Sequence, residues 1–155
     1  MPDGDGTSPA EPAEILLVEN EPADADLCLR ELGRQRISQR IMWVKDGAEA
    51  LDFLFTRGRY AGRAPGHPRV VLLDLKLPKI DGFEVLRQVR ADRRFAAMPI
   101  VALTSSAEER DIAACYGLGV NGYLAKPVSF RSFQQAIEGL GTYWMLLNRT
   151  PGAGR

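Results

Sequence analysis

The stretch that decides the fold is Val70-Val71-Leu72-Leu73-Asp74-Leu75-Lys76-Leu77-Pro78. Its first four residues are branched and apolar, without the polar alternation of a half-exposed strand. This pattern predicts a strand that is buried on both faces in the centre of a parallel sheet. Pro78 has no backbone N–H to donate to a neighbouring strand, so the strand ends before it. Asp74 is therefore expected at the carboxyl edge of a central strand, where open α/β sheets bind ligands.

Similar apolar runs alternate with helical patterns along the whole chain. Strands are predicted at Ile15 to Val18, Ile41 to Val44, Val70 to Asp74, Ile100 to Leu103 and Val120 to Ala125. Helices are predicted at Pro22 to Arg34, Gly47 to Phe55, Gly82 to Ala91, Ala107 to Tyr116 and from the capping residue Ser129 onward. Five successive β–α units predict an α/β fold with a doubly wound five-stranded parallel sheet and an extended C-terminal helix.

Length and charge set the class of protein. The chain has 155 residues, enough for one domain with a real core. Its 20 basic and 20 acidic residues balance, so we expect neither nucleic acid nor a membrane as a partner. The chain has no apolar run of ~20 residues to span a bilayer and no secretory signal, so we expect a cytoplasmic protein. We expect disordered tails at 1–13 and 150–155 around one domain at 14–149.

Polar residues follow three other predicted strands. Glu19 and Asn20 come after the first strand, Thr104 ends the fourth and Lys126 comes after the fifth. Because the carboxyl ends of parallel strands share one edge, these groups are expected to converge on Asp74. Acidic oxygens suit Mg²⁺, and a carboxylate that attacks a phosphoryl group forms an aspartyl phosphate. The metal ion, the ammonium and the hydroxyl would stabilise the charge on the phosphoryl oxygens.

With these groups, the chain resembles the CheY-like receiver domain of two-component response regulators over roughly Glu14 to Leu147. The matching segments are Val18-Glu19-Asn20, Leu73-Asp74 with Pro78 and Asp81-Gly82, Leu103-Thr104-Ser105, and Tyr123-Leu124-Ala125-Lys126-Pro127. The resemblance implies a flavodoxin-like sheet and a role in phosphorelay signal transduction. It also implies that a sensor histidine kinase supplies the phosphoryl group.

The resemblance assigns the phosphoacceptor and a Mg²⁺ site. Asp74 would accept the phosphoryl group, and the metal ion would be held by Glu19, Asn20, Asp74 and the backbone carbonyl of Lys76. The family usually has an aspartate in the place of Asn20, which keeps an oxygen ligand but not the charge. Losing that charge would cost on the order of a few kcal/mol at an effective dielectric constant near 20. Glu21 is a candidate for the substitute carboxylate.

Two interpretations of Asn20 stay open. In the first, the chain binds Mg²⁺ more weakly than its family and is still phosphorylated. In the second, it has lost phosphorylation and works as a dimeric interaction module, a pseudo-receiver. We expect the first, and the pseudo-receiver is the alternative.

The resemblance also assigns the groups of the switch. Lys126 would pair with the phosphoryl group and Thr104 would hydrogen-bond it. Tyr123 would be the aromatic switch residue, moving inward as Thr104 moves toward the phosphate. The peptide bond between Lys126 and Pro127 is expected to be cis, as in the family.

A narrower resemblance is to the stand-alone regulators of bacterial and cyanobacterial phytochromes. The connection at 57–68 is long, and the last helix continues beyond the end of minimal receivers. That helix has apolar residues at alternating spacings of three and four, the pattern of a helix-pairing seam. We expect a homodimer through Ile137, Leu140, Trp144 and Leu147, and a bacteriophytochrome as the kinase.

The competing class is a phosphatase that forms an aspartyl phosphate. Haloacid-dehalogenase-type hydrolases carry a second aspartate two residues after the nucleophile as general acid. Lys76 occupies that place here and cannot readily protonate a leaving group as a carboxylic acid would. We therefore expect a switch protein and not an enzyme. We also expect its output to come from a partner, from dimer rearrangement or from acting as a phosphate sink, because no further domain follows the receiver.

Overall fold

Five strands and five helices alternate in the computed structural model, which describes residues 14–34, 41–64, 66–105 and 109–138. The strands are β1 (Ile15–Val18), β2 (Ile41–Val44), β3 (Val70–Asp74), β4 (Ile100–Thr104) and β5 (Gly122–Ala125). The helices are α1 (Pro22–Arg34), α2 (Gly47–Leu54), α3 (Gly82–Ala91), α4 (Glu109–Gly117) and α5 (Phe130–Glu138). The α/β fold predicted from the sequence is confirmed. The tails expected at 1–13 and 150–155 lie outside the described residues.

The strands form one parallel sheet in the order β2-β1-β3-β4-β5. Every residue of β1, β3 and β4 is buried, as their unbroken apolar runs predicted. Their side chains alternate between two cores, one on each face of the sheet. One core includes residues of α2 and α3, and the other includes residues of α1 and α5. A sheet covered on both faces leaves its carboxyl edge as the place for polar chemistry.

The observed boundaries differ from the predicted ones in a few places. β5 begins at Gly122 and not at Val120, because the backbone N–H of Val120 donates to the carbonyl of Cys115 at the end of α4 (3.0 Å). Short 3₁₀ helices at Gly58–Tyr60 and Arg93–Phe95 were not predicted. The predicted start of the fourth helix, Ala107, lies outside the described residues.

The connection that follows α2 is packed against that helix. Arg63 donates from Nε to the carbonyl of Phe53 (2.7 Å) and from one terminal nitrogen to the carbonyls of Ala64 (2.8 Å) and Gly66 (3.0 Å). The Tyr60 ring lies edge-on to Phe53, with ring centroids 5.1 Å apart. Arg63 therefore fixes this long connection, because it bonds one carbonyl in the last turn of α2 and two carbonyls of the connection itself.

The last described helix closes one face of the sheet. Phe133 is fully buried in the core of that face. Ser129 caps the helix as predicted, since its Oγ accepts from the N–H of Ser132 (3.1 Å), and the N–H of Phe130 donates to Glu31 of α1 (2.9 Å). Of the predicted dimer contacts, the Ile137 side chain, Leu140, Trp144 and Leu147 lie outside the described residues. Among the described helices, none is long and apolar enough to cross a membrane.

Candidate phosphorylation site

Three buried polar side chains meet at the carboxyl edge of the sheet. Val18 pairs with Leu73 across β1 and β3, so Glu19 and Asp74 leave neighbouring strands at the same level. Asp74 in turn neighbours β4, which ends at Thr104. As whole residues, Glu19, Asp74 and Thr104 are 1%, 4% and 4% exposed, and they are the only buried polar residues in the described part of the chain. Burial of polar groups is costly, so their clustering marks a functional site.

Lys126 joins the carboxylates of this edge. Its Nζ lies 2.9 Å from Glu19 Oε1, 3.0 Å from Asp74 Oδ2 and 3.2 Å from Asp24 Oδ2. β5 delivers the lysine, and its backbone N–H donates to the carbonyl of Thr104 (2.9 Å). The bond from Lys126 to Pro127 is cis, as expected. The convergence predicted for Glu19, Asp74, Thr104 and Lys126 is therefore present.

Asp74 is held by the loop that follows it. The backbone N–H of Lys76 donates to Asp74 Oδ1 (3.0 Å), and the N–H of Gly82 donates to the carbonyl of Leu75 (3.0 Å). A Cβ on Gly82 would lie 2.4 Å from the Asp74 carbonyl oxygen and 2.6 Å from Leu75 Cα. Only glycine lets the start of α3 approach β3 so closely.

Glu19 is oriented by its own strand neighbours. Its Oε2 accepts from the backbone N–H of Glu21 (3.0 Å), and its N–H donates to the carbonyl of Val44 (3.1 Å). The indole of Trp43 donates to the Glu19 carbonyl (2.8 Å). Trp43 thus links β2 to the loop that follows β1, and its fluorescence should report changes in that loop.

The electrostatics of Lys126 and the buried carboxylates favour the binding of additional positive charge. Burial raises the pKa of Glu19 to about 7, although its hydrogen bonds to Lys126 and to the Glu21 backbone oppose this, and nearby Asp74 adds to the rise. Burial alone would lower the pKa of Lys126, but its hydrogen bonds to Glu19 and Asp74 outweigh burial and raise it. One ammonium therefore does not neutralise the buried carboxylates.

The oxygen ligands at this edge fit Mg²⁺, although Asn20 leaves the site one negative charge short of a family site that has an aspartate in its place. Mg²⁺ commonly uses one or two carboxylates and completes its shell with carbonyls and waters, and Glu19 and Asp74 are two such carboxylates. Within the described ranges, no group of three or more His, Cys, Asp or Glu side chains is placed to hold a metal ion. The side chains of Asn20 and Lys76 are exposed, so Asn20 would act from the rim of the site and Lys76 through its backbone.

The predicted switch residues lie on the last two strands. Thr104 is buried, whereas the Tyr123 ring is 38% exposed on β5. Thr104 pairs directly with Ala125, two residues beyond Tyr123, so both residues are on the β4–β5 side of Asp74.

The sequence interpretation missed Asp24. Glu21 was the candidate for a substitute carboxylate, but its side chain is exposed and its contact with Glu19 is made by its backbone. Asp24, in the first turn of α1, contacts Lys126 instead. The available signal was its position one helical turn after the polar end of β1, because the first turn of that helix borders the carboxyl edge of the sheet.

Residues 15–138 match the response regulator receiver domain, most of the chain. The chain belongs to this family. Its sheet order and the Glu19, Asp74, Thr104 and Lys126 cluster agree with that membership. A response regulator receiver is a signalling protein rather than an enzyme, so the expectation of a switch protein is confirmed and the competing phosphatase class is set aside.

Several relatives of this receiver have known names or structures. It is 42% identical over 149 residues to the probable methanogenesis regulatory protein FilR2 of Methanothrix harundinacea, covering 96% of this chain and 94% of that one. It is 47% identical to the solved bacteriophytochrome response regulator RtBRR, with a TM-score of 0.80, covering 93% of this chain and 86% of RtBRR.

Two cyanobacterial relatives carry a metal ion or a phosphoryl group. The receiver is 35% identical to the Mn²⁺-bound form of Rcp1 from Synechocystis, with a TM-score of 0.69, covering 88% and 96% of the two chains. It is 34% identical to the phosphorylated phytochrome response regulator RcpA, with a TM-score of 0.72, covering 92% and 100%. The resemblance to phytochrome regulators is confirmed, and divalent metal binding occurs among its relatives.

Proposed function

We propose that this receiver accepts a phosphoryl group on Asp74 from a sensor histidine kinase, in a Mg²⁺-dependent reaction, and passes the signal on through Thr104 and Tyr123. The observation that carries the proposal is the Lys126 ammonium, which lies 3.0 Å from the buried Asp74 carboxylate. A buried carboxylate beside a lysine, with a hydroxyl on the next strand, has the nucleophile and the charge-stabilising groups for phosphoryl transfer.

The transfer is a displacement at phosphorus. A carboxylate oxygen of Asp74 forms a bond to phosphorus while the bond from phosphorus to the imidazole nitrogen of the kinase histidine breaks. The nitrogen keeps the electron pair, so no oxidant or further reactant is needed. Lys126 donates to the phosphoryl oxygens as the charge moves, and Thr104 hydrogen-bonds the product. Glu19 and Asp74 would hold Mg²⁺, with the Asn20 amide and the Lys76 carbonyl as neutral ligands, and the ion would neutralise phosphoryl charge when bound.

The partner that fits best is a bacteriophytochrome histidine kinase in the cytoplasm. RtBRR is named for a bacteriophytochrome and RcpA for a cyanobacterial phytochrome, and both align with nearly the whole of this chain. A homodimer through Ile137, Leu140, Trp144 and Leu147 remains our proposal for the C-terminal helix. Light scattering would test it, since a monomer mass independent of concentration would contradict it.

The second candidate function is a phosphorylation-independent dimeric module. Asn20 carries no charge, and the described site has two buried carboxylates in place of three acidic side chains around a metal ion. A site too weak to bind Mg²⁺ at cellular concentrations would leave Asp74 unmodified. The chain would then act through binding alone.

Intact mass after incubation with acetyl phosphate, with and without Mg²⁺, separates the two candidates. The test compares the wild type with Asp74→Asn and with Asp81→Asn. Asp81 caps α3 through the N–H of Glu84 (2.9 Å), a role that asparagine also fills. We expect one Mg²⁺-dependent phosphoryl adduct in the wild type and in Asp81→Asn, and none in Asp74→Asn. No adduct at high Mg²⁺ in the wild type would favour the binding module.

A further inference from the structure

A third carboxylate reaches the lysine of this site. Asp24 Oδ2 lies 3.2 Å from Lys126 Nζ, and the Asp24 side chain is 42% exposed. The Glu19 and Asp74 side chains are 2% and 6% exposed on the same scale, and their contacts with the lysine are shorter. Asp24 is thus the most exposed of the three carboxylates, and its contact with Lys126 is the longest.

The hydrogen-bonding capacity of the lysine is fully used. An ammonium has three N–H donors, and Lys126 has three carboxylate partners. A phosphoryl group that approaches Asp74 therefore finds no spare N–H on Lys126. One existing contact must break before the lysine can donate to a phosphoryl oxygen. Asp24 is the least costly to release, because water can solvate its exposed carboxylate immediately.

We propose that Asp24 is a positioning residue that holds the third N–H of Lys126 and competes with the incoming phosphoryl group for it. This inference rests on the proposed phosphorylation of Asp74. Its contact stabilises the unphosphorylated site and is lost when the lysine turns to the phosphoryl oxygens. Asp24 therefore slows phosphorylation while its negative charge helps to attract a divalent metal ion, the charge that Asn20 does not supply.

The sign of each effect follows from charge. With acetyl phosphate, Asp74 forms a bond to phosphorus while the bond from phosphorus to the acetyl oxygen breaks, and acetate leaves with the electron pair. Replacing Asp24 by Asn frees the lysine and removes a repelling charge, so the transfer becomes faster. The same change removes attraction for Mg²⁺, so metal binding becomes weaker. An ordinary structural role, such as the favourable effect of an acid in the first turn of α1, would not produce opposite shifts.

The experiment compares Asp24→Asn with Asp26→Asn, a matched loss of one carboxylate on the same helix. Asp26 pairs with Arg30 at 2.9 Å on the exposed side of α1, away from Lys126. Two quantities are measured: the Mg²⁺ dissociation constant by calorimetry, and the rate of phosphorylation by acetyl phosphate at saturating Mg²⁺. For Asp24→Asn we expect the dissociation constant and the rate each to rise by about two- to five-fold, which corresponds to the free energy of a partly exposed ion pair. Asp26→Asn should change neither, and Asp24→Glu should return both toward the wild type.

The outcomes separate this inference from the proposed function. A wild type that takes up no phosphoryl group would overturn the proposed function and this inference with it. A phosphorylated wild type with no difference between Asp24→Asn and Asp26→Asn would overturn the inference alone. So would a slower rate in Asp24→Asn, because the contact would then assist the transfer and not compete with it.

Discussion

Restoring the missing charge by Asn20→Asp should tighten Mg²⁺ binding. Asn20 directly follows Glu19, whose carboxylate is buried 2.9 Å from Lys126, but its own side chain is exposed. The exposure decides which dielectric constant applies. Because water reaches Asn20, an effective dielectric constant near 20, which suits a partly buried pair, would overstate the interaction energy of a charge placed there.

The expected size follows from Coulomb's law. Two unit charges about 4 Å apart interact by about 1 kcal/mol in water, so a new carboxylate at this distance from a divalent ion contributes about 2 kcal/mol. That free energy corresponds to a roughly 30-fold lower dissociation constant. Salt screens part of this attraction, so the shift should shrink as ionic strength rises.

Fluorescence of Trp43 offers a direct assay. Its indole donates to the Glu19 carbonyl, so a metal ion bound at Glu19 would change the surroundings of the indole. A Trp144→Phe background removes the signal of the other tryptophan of the chain. Ala97→Asp is the matched control, since it adds the same charge at an exposed turn before β4, at the opposite edge of the sheet.

Two results would refute this reasoning. One is an equal Mg²⁺ affinity for Asn20→Asp and the wild type at low salt. The other is an equal gain in Ala97→Asp, which would mean that overall charge and not the site sets the affinity. A second measurement bears on the same physics. Without metal, Asn20→Asp should be less stable to urea by about 1 kcal/mol, because it adds repulsion beside Glu19 and Asp74, and Mg²⁺ should reverse the loss.

Three further predictions concern the fold. Thr56 occupies the left-handed position after α2 (φ 53°), where its branched side chain is strained, so Thr56→Gly should raise the free energy of unfolding in urea by about 1 kcal/mol. Burial raises the pKa of Cys28 from 9.0 to about 12. The thiol should therefore resist alkylation at pH 8 in a Cys115→Ser background until the chain is unfolded, as mass spectrometry would show. Because the folded state holds the Cys28 proton up to a higher pH than the unfolded state does, the contribution of this thiol to the free energy of unfolding is present below pH 9 and is lost as the pH rises toward 12. Phe133→Ala should cost about 3 to 5 kcal/mol in the same urea assay, because the buried ring would leave a cavity under α5; a loss below about 1 kcal/mol would contradict its role as the anchor of that helix.

The elements and the main site residues could be predicted from local patterns. Unbroken apolar runs such as Val70 to Leu73 predict buried parallel strands, because only such strands are covered on both faces. Parallel strands place their carboxyl ends on one edge, so the sequence alone predicts that Glu19, Asp74, Thr104 and Lys126 lie together. The 3₁₀ turn at Gly58–Tyr60 was not predicted, since a single turn has too few residues to show a period.

The sequence by itself determined the α/β architecture and the chemical groups at the carboxyl edge of the sheet, because periodicity and strand ends are local properties. Only the tertiary structure decided which carboxylate completes the lysine site. Asp24 and Lys126 are 102 residues apart, and their contact depends on how α1 packs against the sheet. The tertiary structure also decided that Asn20 is exposed while Glu19 beside it is buried. Neighbours in sequence thus sit in different dielectric surroundings, and that difference sets the strength of charges at this site.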